Sequence, residues 1–145
     1  MQSDGKLLSV VVPMFNEEPT IGNVLNRLET VLKKIGLRHE IIVVDDCSVD
    51  NSLEVAKKQQ VKLYSLNQNM GKGYALRVGF AKAKGDIVAT IDSDGSHRPE
   101  ELPLLLEPLL KGEADLVIGS RFSTPTMATS RRNQAGNRLF NSLIR

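Results

Sequence analysis

Apolar positions in this chain change their spacing from segment to segment, and those changes mark out its elements. Leu7–Val12, His39–Val44, Val61–Leu66, Asp86–Ile91 and Ala114–Ile118 are short runs rich in β-branched residues or leucine. Runs of that length and content read as strands buried on both faces. Between them the spacing lengthens to three and four. Ile21, Val24, Leu25, Leu28, Val31, Leu32 and Ile35 form one stripe, the signature of a helix with a single buried face. Pro19 is expected in the first turn of that helix, where its missing N–H costs little, and Gly36 at its end. Asn51–Gln60 and Lys72–Lys84 are two further helices, the second with Ala75, Leu76, Gly79, Phe80 and Ala83 on one side. Pro99–Lys111 is a fourth, with Pro103 and Pro108 set to displace its start or kink it.

Strands alternating with helices predict an α/β fold with crossover connections and a mostly parallel central sheet. Residues 1–122 read as one domain without repeat or linker. Residues 123–130 read as a loop, and a helix is expected from about Arg131. That helix places Leu139, Phe140, Leu143 and Ile144 on one face and Arg131, Arg138 and Arg145 on the other. It reaches the last residue without a C-cap signal, so the chain is expected to be one part of a longer protein.

Composition narrows the class. The 145 residues are 41% hydrophobic and 25% charged, enough to bury a core and unlike a disordered chain. The longest apolar stretch, Leu7–Phe15, falls well short of the ~20 residues of a membrane span. The first residues lack the apolar region of a signal peptide, and the single cysteine, Cys47, has no internal partner. A cytoplasmic location is expected, at the cytoplasmic face of a membrane in the longer protein. The net charge of +2 conceals an asymmetry: residues 1–118 balance to −3, whereas residues 119–145 carry five arginines and no acid. A basic end on an acidic body suits phosphate or a membrane surface; a solvated helix face accounts for it equally. Aromatics at 4%, with basic residues gathered in one tail, argue against a nucleic-acid reader.

In an open parallel sheet, ligands bind beyond the carboxyl ends of the strands, where strand order reverses. The loops at those ends hold acids, one lysine and one arginine. Neither G-x-G-x-x-G nor G-x-x-x-x-G-K-[ST] occurs, which disfavours a dinucleotide site and a P-loop. Without a glycine cradle, a diphosphate needs another counter-charge. Asp92 and Asp94, two apart at the end of the fourth strand, suit a divalent cation, Mg2+ or Mn2+, which favours oxygen ligands and bridges phosphates. Two carboxylates make a weak site, so ligand phosphates are expected to complete it. Capping by Asp94 or Ser96 ahead of Pro99 is compatible with that role.

Asp45 ends a buried strand and is read as a ligand contact, accepting from a ribose hydroxyl or base N–H. Asp46, Ser48 and Asp50 are read as turn or capping residues. Glu17 is placed at a base or ribose, against capping for Glu18. Lys72 follows Gly71 at a helix start and suits a phosphate, or simply water. Arg121 suits bidentate neutralisation of a phosphate. His97 is a neighbour of the metal or phosphate, His39 is structural, and Cys47 is a small packed side chain.

The loops then match a known pattern. VVPMFNEE at 11–18, EIIVVDDCSVD at 40–50, NMGKGYAL at 69–76, GDIVATIDSDGSHRPEEL at 85–102 and DLVIGSRF at 115–122 occur in order. The set resembles family 2 glycosyltransferases of the GT-A fold, particularly their dolichol- or polyprenyl-phosphate mannose and glucose synthase-like branch. The resemblance implies a Rossmann-like, three-layer nucleotide-binding domain over residues 1–122, with residues 123–145 leading toward the acceptor side. It implies inverting transfer from a GDP- or UDP-linked sugar to a polyprenyl or dolichol phosphate. Pro13, Phe15, Glu17 and Asp45 would then border the nucleoside, with Lys72 and Ser93 on the donor. Asp92 and Asp94 would organise metal and diphosphate, and Arg121 and Arg131 would meet the acceptor phosphate. Where Ser96 stands some relatives have glutamine, which leaves the donor open.

Two alternatives remain at this stage. One is a non-catalytic nucleotide-sugar-binding fragment. The other is a haloacid-dehalogenase-type phosphatase with Asp92 as nucleophile, whose motif would belong on the first strand.

Overall fold

The computed structural model describes residues 5–119. The expected loop at 123–130, the helix from Arg131, Arg121 and the 123–145 segment as a whole lie outside the described residues. Four parallel strands form one sheet: β1 (Leu7–Met14), β2 (Arg38–Asp45), β3 (Lys62–Ser65) and β4 (Ile87–Thr90). Their order is β3-β2-β1-β4. The chain steps outward from β1 to β2 to β3, then returns to place β4 on the other edge of β1. Leu7 to Met14 pair with Arg38 to Asp45, and Leu8 to Val11 pair with Ile87 to Thr90.

Helix α1 (Ile21–Ile35) buries the stripe read from the sequence: Ile21, Val24, Leu25, Leu28, Val31 and Leu32. Burying side chains of this size contributes about 1.5–3 kcal/mol each. Gly36 ends the helix at φ 74°, a left-handed conformation open to glycine, and its N–H bonds Leu32 O. Pro19 differs from expectation. It lies in the turn before the helix, where Glu17 O accepts from the N–H groups of Thr20 and Ile21. Helix α2 (Ser52–Lys57) and α4 (Leu102–Leu110) join α1 on one face of the sheet through Ala56, Leu102 and Leu106. A 3-10 turn, Pro99–Glu101, precedes α4 and places Pro103 in its first turn, so the proline is accommodated.

Among the described residues, the opposite face is covered by α3 (Lys72–Lys82). Its expected apolar side is only partly buried. Ala75 and Gly79 pack against the sheet, whereas Phe80 is 47% exposed. The cause is sheet order: α3 lies over β1 and β2, and no other described element covers the flank at β4, where Val88 is also exposed. The approach of α3 is close enough that a Cβ at Gly79 would collide with Val11.

The expected fifth strand, Ala114–Ile118, is not formed. The segment makes no ladder, and Leu116 and Ile118 are 76% and 68% exposed. A strand exists only against a partner edge, and among the described residues none pairs with it.

A buried polar cluster closes the amino end of the sheet beneath the end of α3. Glu40 accepts from Ser9 Oγ at 2.5 Å and from Lys84 N–H at 2.8 Å, and pairs with Lys62 Nζ at 2.5 Å. Ser9 Oγ in turn accepts the N–H of Gly85 at 2.8 Å. Burial works against ionisation of Glu40, but the bonds from Lys62, Ser9 and Lys84 outweigh it and bring its pKa down to about 2 from 4.5. The ionised cluster therefore stabilises the fold above pH 4.5, and its contribution disappears as pH falls toward 2.

Urea denaturation of the parent chain and Glu40→Gln should differ by about 2–3 kcal/mol at pH 7. More than half of that gap should close by pH 3, and a gap independent of pH would refute the assignment. Gly79→Ala should lose about 1–3 kcal/mol in the same assay despite alanine's better helix propensity, because the added methyl overpacks against Val11.

Candidate active site

The strand order reverses beside β1, and the loops leaving β1 and β4 lie side by side at the carboxyl edge of the sheet. Between them and the start of α3 lies a cleft of about 330 Å³. Its lining includes Pro13, Phe15, Glu17, Lys72, Asp92, Ser93 and Asp94, all inferred from the sequence. Phe15 is half-exposed, presenting a ring at the mouth.

Side chains hold the loops in place. Asn16 N–H donates to Ser48 Oγ at 2.9 Å, Glu17 N–H to Ser52 Oγ at 2.7 Å and Glu18 N–H to Asp50 Oδ2 at 3.1 Å. Val49 N–H returns a bond to Asn16 Oδ1 at 2.8 Å. These crossed bonds hold two residues at positive φ, Asn16 at 52° and Cys47 at 65°, a conformation that costs a non-glycine residue about 1 kcal/mol or more. Ser93 is buried, with its hydroxyl donating to Pro13 O at 2.7 Å, while Ser93 O accepts from Thr20 Oγ1 at 2.9 Å. Ser93 thus ties the acidic loop to the end of β1.

Asp92 receives the site's charge contacts. Lys72 Nζ lies 2.5 Å from Asp92 Oδ1, and His97 Nε2 lies 3.7 Å from Oδ2. The Asp92 N–H donates to His97 Nδ1 at 3.1 Å, which turns the other ring nitrogen, Nε2, toward the carboxylate. Asp94 accepts from Ser96 N–H at 2.8 Å. Burial opposes its ionisation, but the Ser96 bonds, with His97 and Lys72 nearby, hold its pKa below the ordinary value. Hard carboxylate oxygens two residues apart fit Mg2+ or Mn2+. Among the described residues no three acidic, histidine or cysteine side chains gather into a cage.

Asp45 and Asp46 fall differently from the sequence reading. Along β2, Val43 faces α1 and Val44 faces α3, and the alternation carries Asp45 to the first side and Asp46 to the second. Asp45 is buried, accepts from Ser48 N–H at 3.2 Å and does not line the cleft. Asp46 does line it. Its carboxylate accepts from Met70 N–H at 2.7 Å and Gly71 N–H at 2.8 Å, which fixes the start of α3 and hence Lys72. The strand's period of two, continued one residue past Val44, was the available signal. Arg121 and Arg131 lie outside the described residues.

Residues 9–144 match the family described as Glycosyl transferase family 2. The chain belongs to that family. Among curated relatives, the undecaprenyl-phosphate 4-deoxy-4-formamido-L-arabinose transferase of Aeromonas hydrophila is 39% identical over 116 residues, covering 76% of this chain and 36% of the relative. The dodecaprenyl-phosphate galacturonate synthase of Rhizobium johnstonii is 34% identical over 120 residues, covering 79% and 36%. The chain thus spans about a third of the length of these family 2 relatives.

Among solved structures, glucosyl-3-phosphoglycerate synthase from Mycobacterium tuberculosis, in complex with Mn2+ and UDP-glucose, matches with TM-score 0.65 and 37% identity, covering 75% of this chain and 41% of that one. Mannosyl-3-phosphoglycerate synthase from Rubrobacter xylanophilus matches with TM-score 0.66 and 29% identity, covering 74% and 37%. The Rossmann-like GT-A architecture is thereby shown. The phosphatase alternative is not favoured: the acidic pair follows β4, not the first strand.

Asp46→Ala should cost about 1–2 kcal/mol in urea denaturation, because two partly buried N–H groups lose their side-chain acceptor. Hydrogen exchange at Met70 and Gly71 should accelerate far more than in β1. Equal protection in the two proteins would show that the carboxylate does not hold this loop.

Proposed function

We propose that this chain is the donor-binding part of a glycosyltransferase. Its substrate is a nucleotide-diphosphate sugar, GDP- or UDP-linked, and the sugar passes with inversion to a polyprenyl or dolichol phosphate. One observation carries the reading: in a family 2 chain, Asp92, Asp94 and Lys72 converge on a cleft at the sheet's switch point. The printed names of the relatives support a lipid-phosphate acceptor. The Mn2+ and UDP-glucose of the M. tuberculosis structure support the donor class and a divalent metal.

In this reading Pro13, Phe15 and Glu17 border the nucleoside, with Phe15 offering a face to the base. Asp92 and Asp94 hold Mg2+ or Mn2+, which when bound offsets negative charge growing on the departing diphosphate. Lys72 faces the same phosphates. Ser93, tied to Pro13, keeps both acids aimed into the cleft. A phosphate acceptor is already an anionic nucleophile, so the chemistry does not demand a strong general base from the protein. Arg121 and Arg131 are assigned from sequence to the acceptor phosphate, and the arginine-rich end suits an anionic membrane surface. Among the described residues no helix is long and apolar enough to cross a membrane.

Thermal unfolding with UDP, GDP and their glucose and mannose conjugates, with Mn2+, Mg2+ or EDTA, tests the donor site. A ligand at ~100 times its Kd should add roughly 2.7 kcal/mol. The gain should require metal and vanish in Asp94→Ala. A folded sample indifferent to every nucleotide would count against the reading.

A further inference from the structure

The contact between Lys72 and Asp92 has a consequence for how the cleft fills. Lys72 is the first residue of α3, and Asp46 fixes the turn just before it. Its ammonium therefore reaches Asp92 from an anchored backbone, although its side chain is 58% exposed. Both Asp92 oxygens already face a nitrogen, Oδ1 that of Lys72 at 2.5 Å and Oδ2 that of His97 Nε2 at 3.7 Å, so a divalent ion using Asp92 and Asp94 must settle beside the ammonium. Two cations at one carboxylate repel each other strongly. With only two carboxylates from the described protein, a metal entering alone gains little to offset displacing the ammonium.

We propose that Lys72 is the resident counter-cation of Asp92, excluding free divalent ions and coupling metal entry to a diphosphate. The proposal rests on the donor-site reading above. A diphosphate gives the ammonium a second anion to meet and adds oxygens to the metal's shell, so the two ligands bind better together than apart. A nucleoside monophosphate has too few oxygens to do both well. Lys72 thus acts as a selectivity residue for diphosphates, separate from whatever it contributes to affinity.

Free Mn2+ counted by electron paramagnetic resonance, with the 145-residue chain, tests this with metal alone. Lys72→Met keeps the aliphatic stem and removes the charge. It should bind Mn2+ without nucleotide roughly 5–10-fold more tightly than the parent chain. Adding Asp92→Asn to it should abolish the gain. Lys82→Met removes the same charge from the same helix, ten residues or ~15 Å further along, and should leave Mn2+ affinity unchanged. Titrations with UDP and GDP should then show the metal–nucleotide coupling factor falling in Lys72→Met, by the same ratio whichever ligand is added first. UMP and GMP should show little coupling in either protein. Unchanged or weaker Mn2+ binding in Lys72→Met overturns the proposal, as does an equal gain in Lys82→Met. If nucleotides fail to bind the parent chain while Lys72→Met still gains Mn2+, the donor-site reading falls and the counter-cation role stands.

Discussion

Parallel pairing on both edges of β1 is the constraint from which the rest of this molecule follows. Because β2 and β4 flank it, the chain must leave its carboxyl end in one direction and return to its other side. The loops after β1 and β4 therefore lie side by side, and a cleft opens between them and the start of α3 on the other face. The same pairing makes β1 a central strand, with Leu8, Val10, Val11 and Val12 fully buried. Gly79 and Gly85 answer to it directly. One lets α3 approach Val11, and the other lies where a Cβ would meet the backbone of Leu7 and Ser9.

Helix α3 shows how polar groups can secure an element with little apolar burial. It buries Ala75 and Gly79 and little else. Each end is instead held by a buried acid supplied by β2 or the residue just beyond it. Asp46 accepts backbone N–H groups ahead of the helix, and Glu40 accepts one just after it. Buried carboxylates are costly alone, and here each accepts hydrogen bonds that offset that cost. The consequence is functional as well as structural. Fixing the start of α3 sets where Lys72 stands, and so what charge Asp92 meets.

Much of the fold was legible because burial imposes a period. The α1 stripe and four strand runs matched to within a few residues, although only β1 and β2 are central and buried as expected, while the edge strands β3 and β4 are partly exposed. Ala114–Ile118 has the same apolar content but pairs with no strand among the described residues, and content alone does not make a ladder. Phe80 failed similarly: its spacing suits a helix face, but among the described residues it lies at the flank where α3 extends past the strands it covers. In the cleft, Pro13, Phe15, Glu17, Lys72, Asp92, Ser93 and Asp94 were all identifiable as residues at strand ends. The division of labour between Asp45 and Asp46 was not, since adjacent acids differ only in the side of the strand they leave.

Residue order alone determined the strand and helix periods, the loops that carry charge, and through five ordered motifs the family. These are properties of local spacing, and local spacing survives in a string of letters. Tertiary structure alone decided that Lys72 faces Asp92, that Asp46 fixes α3, and that Glu40 gathers Ser9, Lys62 and Lys84. Each joins residues about 20 or more positions apart, and their distances are set by which strand lies beside which. No spacing rule along the chain contains that information, because it arises only when the sheet is assembled.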